Sequence, residues 1–335
     1  MPASEAIEMR GCQHAKYWFD DGSVIVTISQ ILSKSRDSAE GAVLFKLHSS
    51  LLARHSTYFS RVLDGAGTVC GEERLKSDNL AAGSCIPMVT VLPALGVRVD
   101  DFVSLLEHLY HDTPLSSKTP FTHVASILRV SSPSQLDFPR LHELARGYLE
   151  AMFPSGPLPF THPSHLEEVL ALTRTYKIGS IRKGIYYSLV TTTDFEPEEV
   201  DEKGEDVNRD DKLSQHQNGI VEDPSTRYAV LLPADVERCG KLMAGIVDHF
   251  TPILFTPPTT PHIACTDVFA DKWMSLVIQS AISDGGVYKP LETLEFVKQL
   301  DWAAEGLCPA CVREKREEWT EEQVVVWEKM DGWIG

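Results

Sequence analysis

Basic residues are scarce in this chain of 335 residues: 31 Lys and Arg stand against 48 Asp and Glu, giving a formal net charge of −17. Proteins that bind nucleic acids neutralise phosphates with clustered basic side chains. The charge balance therefore argues against a nucleic-acid partner for the chain as a whole. Long apolar runs are lacking as well. No stretch approaches the roughly 20 apolar residues of a membrane-spanning helix, so we expect no membrane partner.

Signatures of catalysis and of nucleotide binding are also missing. The sequence contains no Gly-x-Gly-x-x-Gly, no Walker loop, no Gly-x-Ser-x-Gly and no His-Glu-x-x-His. His48 could act as a general base for Ser49 or Ser50, but no acid or oxyanion feature accompanies it. The sequence favours a His that fixes a strand-to-helix corner with a ring hydrogen bond. We therefore expect a protein that is not an enzyme.

Cysteine is present in an odd number, and the seven residues are scattered along the chain. This usage is typical of free thiols in a reducing compartment. The first ten residues carry acidic side chains and lack a continuous apolar core, so we expect no secretory signal there. Together these features predict an intracellular protein, cytoplasmic, nuclear or both.

The amino-terminal half combines strand and helix patterns. Short β-rich or apolar runs predict strands over 24–28, 43–47 and 87–92. Apolar residues at helical spacing predict helices over 51–63, 99–110, 121–130 and 139–153. Ser56 is placed to cap a new helix, so we expect two short helices that break near His55. The order of elements predicts an α+β fold, with helices gathered around a small sheet.

One stretch of this half has a recognisable arrangement. Phe45 to Phe59 reads Phe-Lys-Leu-His-Ser-Ser-Leu-Leu-Ala-Arg-His-Ser-Thr-Tyr-Phe, with His48, Leu52 and Ser56 four residues apart. With the order of elements around it, this stretch resembles the BTB/POZ domain, over about residues 15–153. More narrowly, the chain is similar to the BTB proteins of basidiomycete fungi. The resemblance implies a small mixed sheet flanked by helices and a protein–protein interaction module without chemistry of its own.

The resemblance also implies partners. A homodimer is expected, with other proteins as further partners, and the chain would be an adaptor, for which a cullin-type ubiquitin ligase is the candidate partner. The residues expected at the interaction surface are Asp21, His48, Leu51, Leu52, Tyr58, Phe59, Leu105 and Tyr110. One departure is that Ser49 stands where the family often has a basic residue. This puts in doubt the charged groove that binds corepressors in animal members of the family.

Beyond residue 153 the composition changes. We expect a helical extension over 154–195, a disordered acidic insertion over 196–225 and a mainly α-helical region over 226–335. The insertion is predicted because acidic residues crowd together there with few apolar ones. It could dock a basic partner, or it could simply be a solvated loop.

The carboxy-terminal region holds one candidate metal site. Cys308-Pro-Ala-Cys311 has the spacing of a metal-ligand or redox pair, and His262-Ile-Ala-Cys265 could supply the other two ligands of a tetrahedral zinc. A redox pair would instead need a strand before it and a helix after it within a βαβ unit, and none is visible. Packed or exposed free thiols are the remaining alternative. We expect no cofactor apart from a possible structural zinc. The alternative to an interaction protein is a zinc-binding protein or enzyme with its site at these four residues.

Overall fold

The computed structural model describes residues 11–31, 40–65, 86–158, 164–192 and 231–335. The acidic insertion expected over 196–225 lies outside the described residues. The chain divides into two compact units, Met1–Met152 and Phe153–Gly335. The first unit holds a small mixed sheet with helices and the second is helical, so the mixed α and β composition predicted for the chain is confirmed.

A four-stranded sheet organises the first unit, in the order β1-β3-β2-β4. The strands are β1 (Gly11–Trp18), β2 (Val24–Ile31), β3 (Glu40–Leu47) and β4 (Met88–Val91). Strands β2 and β3 pair antiparallel, whereas β1 adds parallel to β3 and β4 adds parallel to β2. Val24, Val26 and Ile28 are buried on one face of β2, as a period of two predicts. Strand β1 was not predicted from the sequence.

Helices pack against this sheet. They are α1 (Ser49–His55), α2 (Thr57–Gly65), α3 (Val99–Leu109), α4 (Phe121–Val130) and α5 (Pro139–Met152). The predicted break after His55 is confirmed, because Ser56 Oγ accepts a hydrogen bond from the backbone N–H of Phe59 at 3.0 Å. The same hydroxyl donates to the carbonyl of Leu136 at 2.6 Å. Ser56 thus caps α2 and ties it to the segment that leads into α5.

The described elements of the second unit are all helical. They are α6 (Leu166–Thr175), α7 (Arg182–Thr192), α8 (Pro233–Phe255), α9 (Ile263–Trp273), α10 (Gln279–Ser283), α11 (Pro290–Gln299) and α12 (Pro309–Ile334). One π-helical turn, Met274–Ile278, joins α9 to α10. The core of this unit is rich in aromatic side chains, with Phe269 in contact with Trp273, Trp302 and Trp319. Among the helices that the structure describes, none is both long and apolar enough to cross a bilayer.

Candidate functional site

Two helix starts in the second unit present the candidate metal ligands. His262 is the N-cap of α9 and Cys265 lies in its first turn. Cys308 is the N-cap of α12 and Cys311 lies in its first turn. Each pair therefore occupies the N-cap and the third helical position. Pro309 follows Cys308, and its fixed φ angle favours a helix that begins at that point.

The four side chains come together in space. Their ligand atoms all lie within 4.8 Å of one another. His262 Nδ1 is 3.2 Å from Cys308 Sγ and 3.4 Å from Cys311 Sγ. Usual zinc bond lengths give separations of about 3.6 Å between nitrogen and sulfur and about 3.8 Å between sulfurs in a tetrahedral site. This side-chain cluster is thus close to the required geometry and can hold a metal ion.

The electrostatics of the cluster favour the thiolate of Cys308 and disfavour that of Cys311 in the absence of an ion. The backbone N–H of Cys311 donates to Cys308 Sγ and, together with His262, lowers the pKa of the Cys308 thiol to about 6. Burial raises the pKa of the Cys311 thiol. Three thiolates and a neutral imidazole around a divalent ion carry a net charge of −1. The positive ends of two helix dipoles at the same point stabilise such a charge.

The surroundings of the cluster do not match a redox motif. Cys265 and Cys311 are buried against the aromatic core of the second unit. A thioredoxin-like pair requires a strand before the helix, and the described part of this unit contains no strand. The geometry therefore favours metal coordination over disulfide exchange.

Three of the predicted interaction residues lie together at one corner of the first unit. His48 Nδ1 is 3.0 Å from the hydroxyl of Tyr110, and His48 Nε2 is 3.3 Å from a carboxylate oxygen of Asp21. The hydrogen bond from His48 lowers the pKa of Asp21. Ser49 instead pairs with Ser23, with 2.8 Å between the two hydroxyl oxygens. Both ring nitrogens of His48 therefore have partners other than a serine, so the general-base alternative finds no support in this geometry.

Three other predicted interaction residues lie in the core of the first unit. Leu52, Phe59 and Leu105 each have a relative exposure of 0%, so the prediction that they lie at an interaction surface is wrong. Their apolar stripes face the core of the unit, and helical periodicity alone does not distinguish a core from an interface. Leu51 and Tyr58 are half-buried and still reach the surface.

Asp235 is a buried charge that the sequence did not reveal. It has no exposed surface, accepts a hydrogen bond from Tyr186 at 2.7 Å and pairs with Arg174 at 2.6 Å. These contacts link α6, α7 and α8. A single acidic residue in a first helical turn is common, so nothing in the sequence marked it as the centre of a buried network.

Comparisons of the chain with protein-family models, with curated proteins and with solved structures gave no match. The resemblance to the BTB/POZ domain accordingly depends on the sequence features quoted above. Function is argued below from the sites themselves, since a fold alone does not determine an activity.

Proposed function

We propose that the chain is a non-catalytic protein–protein interaction protein whose first unit forms a homodimer. The observation that carries this proposal is the exposure of β1, an edge strand in which only Tyr17 is buried. The outer side of an edge strand offers unpaired N–H and C=O groups to another strand; in β1 the N–H groups of Lys16 and Tyr17 are taken by His14 Nδ1, and the rest of the strand supplies the contact. A second copy related by a two-fold axis supplies the same strand, so the contact is self-complementary.

The corner around His48 extends this surface beyond the strand end. The rings of Phe19 and Tyr110 lie 4.8 Å apart between centroids, and those of Phe19 and His48 lie 5.2 Å apart. All three side chains are half-buried. Aromatic side chains are enriched in the centres of protein interfaces. Phe19 follows β1 directly, so the aromatic corner and the strand form one continuous candidate interface.

The test is the mass of the full chain in solution, measured by size exclusion with light scattering. A monomer has a mass of 37.3 kDa, and we expect twice that value. Gln13→Lys adds a cation to the exposed edge of β1, where a charged edge residue discourages strand pairing, so we expect about tenfold weaker self-association or more.

Thr90→Lys is the matched control, because Thr90 is exposed on β4, the opposite edge strand of the same sheet. We expect this variant to remain dimeric. A wild-type chain that stays at 37.3 kDa at high concentration, or equal behaviour of the two lysine variants, would refute the proposed dimer.

The adaptor role proposed for the chain depends on the resemblance to BTB proteins. Of the interaction residues expected near that surface, Leu105 is buried, whereas Tyr58 and Tyr110 are half-buried. Calorimetric titration with a purified cullin amino-terminal domain tests this role. Tyr58→Ala should weaken binding if the role is correct, and no heat of binding with the wild-type chain would exclude it.

A second function is supported by the side-chain cluster at His262, Cys265, Cys308 and Cys311. We infer that it binds a structural zinc ion, because four protein ligands fill a tetrahedral site, whereas a catalytic zinc keeps one position open. The ion would join the starts of α9 and α12, whose ligands His262 and Cys308 are 46 positions apart. Elemental analysis of the purified chain should give one zinc per chain. Cys311→Ser should lose the zinc, and Cys12→Ser, at an exposed thiol in the first unit, should keep it.

A further inference from the structure

A basic cleft lies in the first unit, between the junction of α1 with α2 and the start of α5. Its volume is about 690 Å³. The polar side chains that line it are those of Arg54, His55, Ser56, Thr57, Ser60, Arg61 and Arg140. The arginines come from three separate helices, and the fold brings Arg140 of α5 to Arg54 and Arg61, which are distant from it in sequence.

The charge in the basic cleft is opposite to that of the chain. The whole chain carries −17, yet three arginines line this one concavity. The carboxylate next to them belongs to Asp137, which accepts a hydrogen bond from the hydroxyl of Thr57 and lies 3.4 Å from the guanidinium of Arg61. Arg54 and Arg140 are exposed, and the described residues offer them no ion pair. The cleft therefore keeps a local excess of positive charge that a ligand can use.

The chemistry of the basic cleft fits a phosphoryl group. A guanidinium presents a planar fork of donors that matches phosphate in a bidentate manner. Thr57 and Arg140 also belong to the first turns of α2 and α5, where the positive end of a helix dipole favours an anion. The backbone N–H of Thr57 itself donates to the carbonyl of Asp137. Clusters of arginines in one concavity are a recurrent means by which phosphorylated segments are recognised.

We propose that the basic cleft binds a phosphorylated peptide segment of a partner protein. The volume lies within the range of about 300–1,000 Å³ that is typical of sites for ligands larger than a single ion, so residues that flank the phosphate also find room. The inference deepens the proposed function, because it names the chemistry of a partner for the interaction unit. It does not depend on the dimer.

The experiment uses the immobilised full chain and a degenerate peptide library with a fixed central phosphoserine, beside the same library with serine. We expect retention of the phosphorylated library and none of the other. For a phosphopeptide selected in this way, Arg54→Gln and Arg140→Gln should each raise the dissociation constant about ten- to a hundredfold, as for the loss of one charge-assisted hydrogen bond. Arg98→Gln, at an arginine of the same unit outside the cleft, should leave the constant unchanged.

Competition with inorganic phosphate distinguishes the two sources of the anion. If phosphate alone competes as well as the selected phosphopeptide, the cleft is a free-anion site and the peptide proposal is wrong. Equal retention of the two libraries, no retention of either, or unchanged binding by the double variant R54Q/R140Q overturns it as well. Circular dichroism of each variant confirms folding, and the light-scattering mass reports the dimer separately. A failure here is thus distinguishable from a failure of self-association.

Discussion

Loss of one zinc ligand should destabilise the second unit by the free energy that zinc binding adds to its folded state. The perturbation is Cys308→Ser, chosen because Cys308 is the N-cap of α12. Serine is among the best N-cap residues, so the substitution should not weaken the helix start itself. Any large loss of stability would therefore report the loss of metal coordination.

The magnitude follows from binding to the folded state alone. A ligand present at a thousand times its dissociation constant stabilises that state by about 4.1 kcal/mol. For a unit of the size of Phe153–Gly335, each kcal/mol corresponds to about 2–4 °C in midpoint temperature. We therefore expect the transition of this unit to fall by about 8–16 °C in Cys308→Ser.

Differential scanning calorimetry with and without a strong chelator is the assay. Chelator should lower the midpoint temperature of zinc-saturated wild-type protein by about 8–16 °C. Cys308→Ser should melt at this lower temperature both with and without chelator. Cys12→Ser should behave like wild type, since Cys12 is an exposed thiol outside the cluster. A wild-type transition that ignores the chelator would refute the zinc assignment.

Two further predictions concern packing and pH. Gly245→Ala should lower the free energy of unfolding by about 1–3 kcal/mol, because the added Cβ would lie 2.4 Å from the ring of Trp333. Gly240→Ala on the same helix meets open space and should be neutral or stabilising. Chemical denaturation of both variants checks this. Burial raises the pKa of Glu292, which accepts a hydrogen bond from Tyr187. The folded state thus holds that proton more tightly, so its contribution to stability is present at low pH and is lost as pH rises through the folded pKa. Glu292→Gln should remove this dependence, which is at most about 1.4 kcal/mol per pH unit. Unfolding curves measured from the ordinary glutamate pKa of 4.5 upward test it.

Local signals explain what the sequence predicted well. The cap at Ser56 and the break after His55 depend on neighbouring residues, and the structure confirms both. Ligand type and spacing made the histidine and cysteine pairs candidates for one metal site, with free thiols as the alternative. The structure brings them within reach of one ion, because each pair begins a helix of the same unit.

Other features depend on tertiary contacts that periodicity does not encode. Strand β1 is mostly exposed, and its apolar residues neither alternate with polar ones nor form a continuous run, so it lacks both patterns that predict a strand. Leu52 and Phe59 lie on apolar stripes that were assigned to an interface but face the core. The basic cleft was not predicted, because Arg54 and Arg140 line the same cleft only through the packing of helices that are far apart in sequence.

The aromatic core beside the candidate metal ligands has a practical consequence. Trp273 and Trp302 stack with 6.0 Å between ring centroids, and Trp319 lies 6.1 Å from Trp302. Indoles held in such fixed, asymmetric packing produce near-ultraviolet circular dichroism, which vanishes when side-chain packing loosens. Of the six tryptophans, Trp18 alone belongs to the first unit. These tryptophans are therefore an intrinsic spectroscopic probe, by which separation of α9 from α12 can be followed without any attached dye.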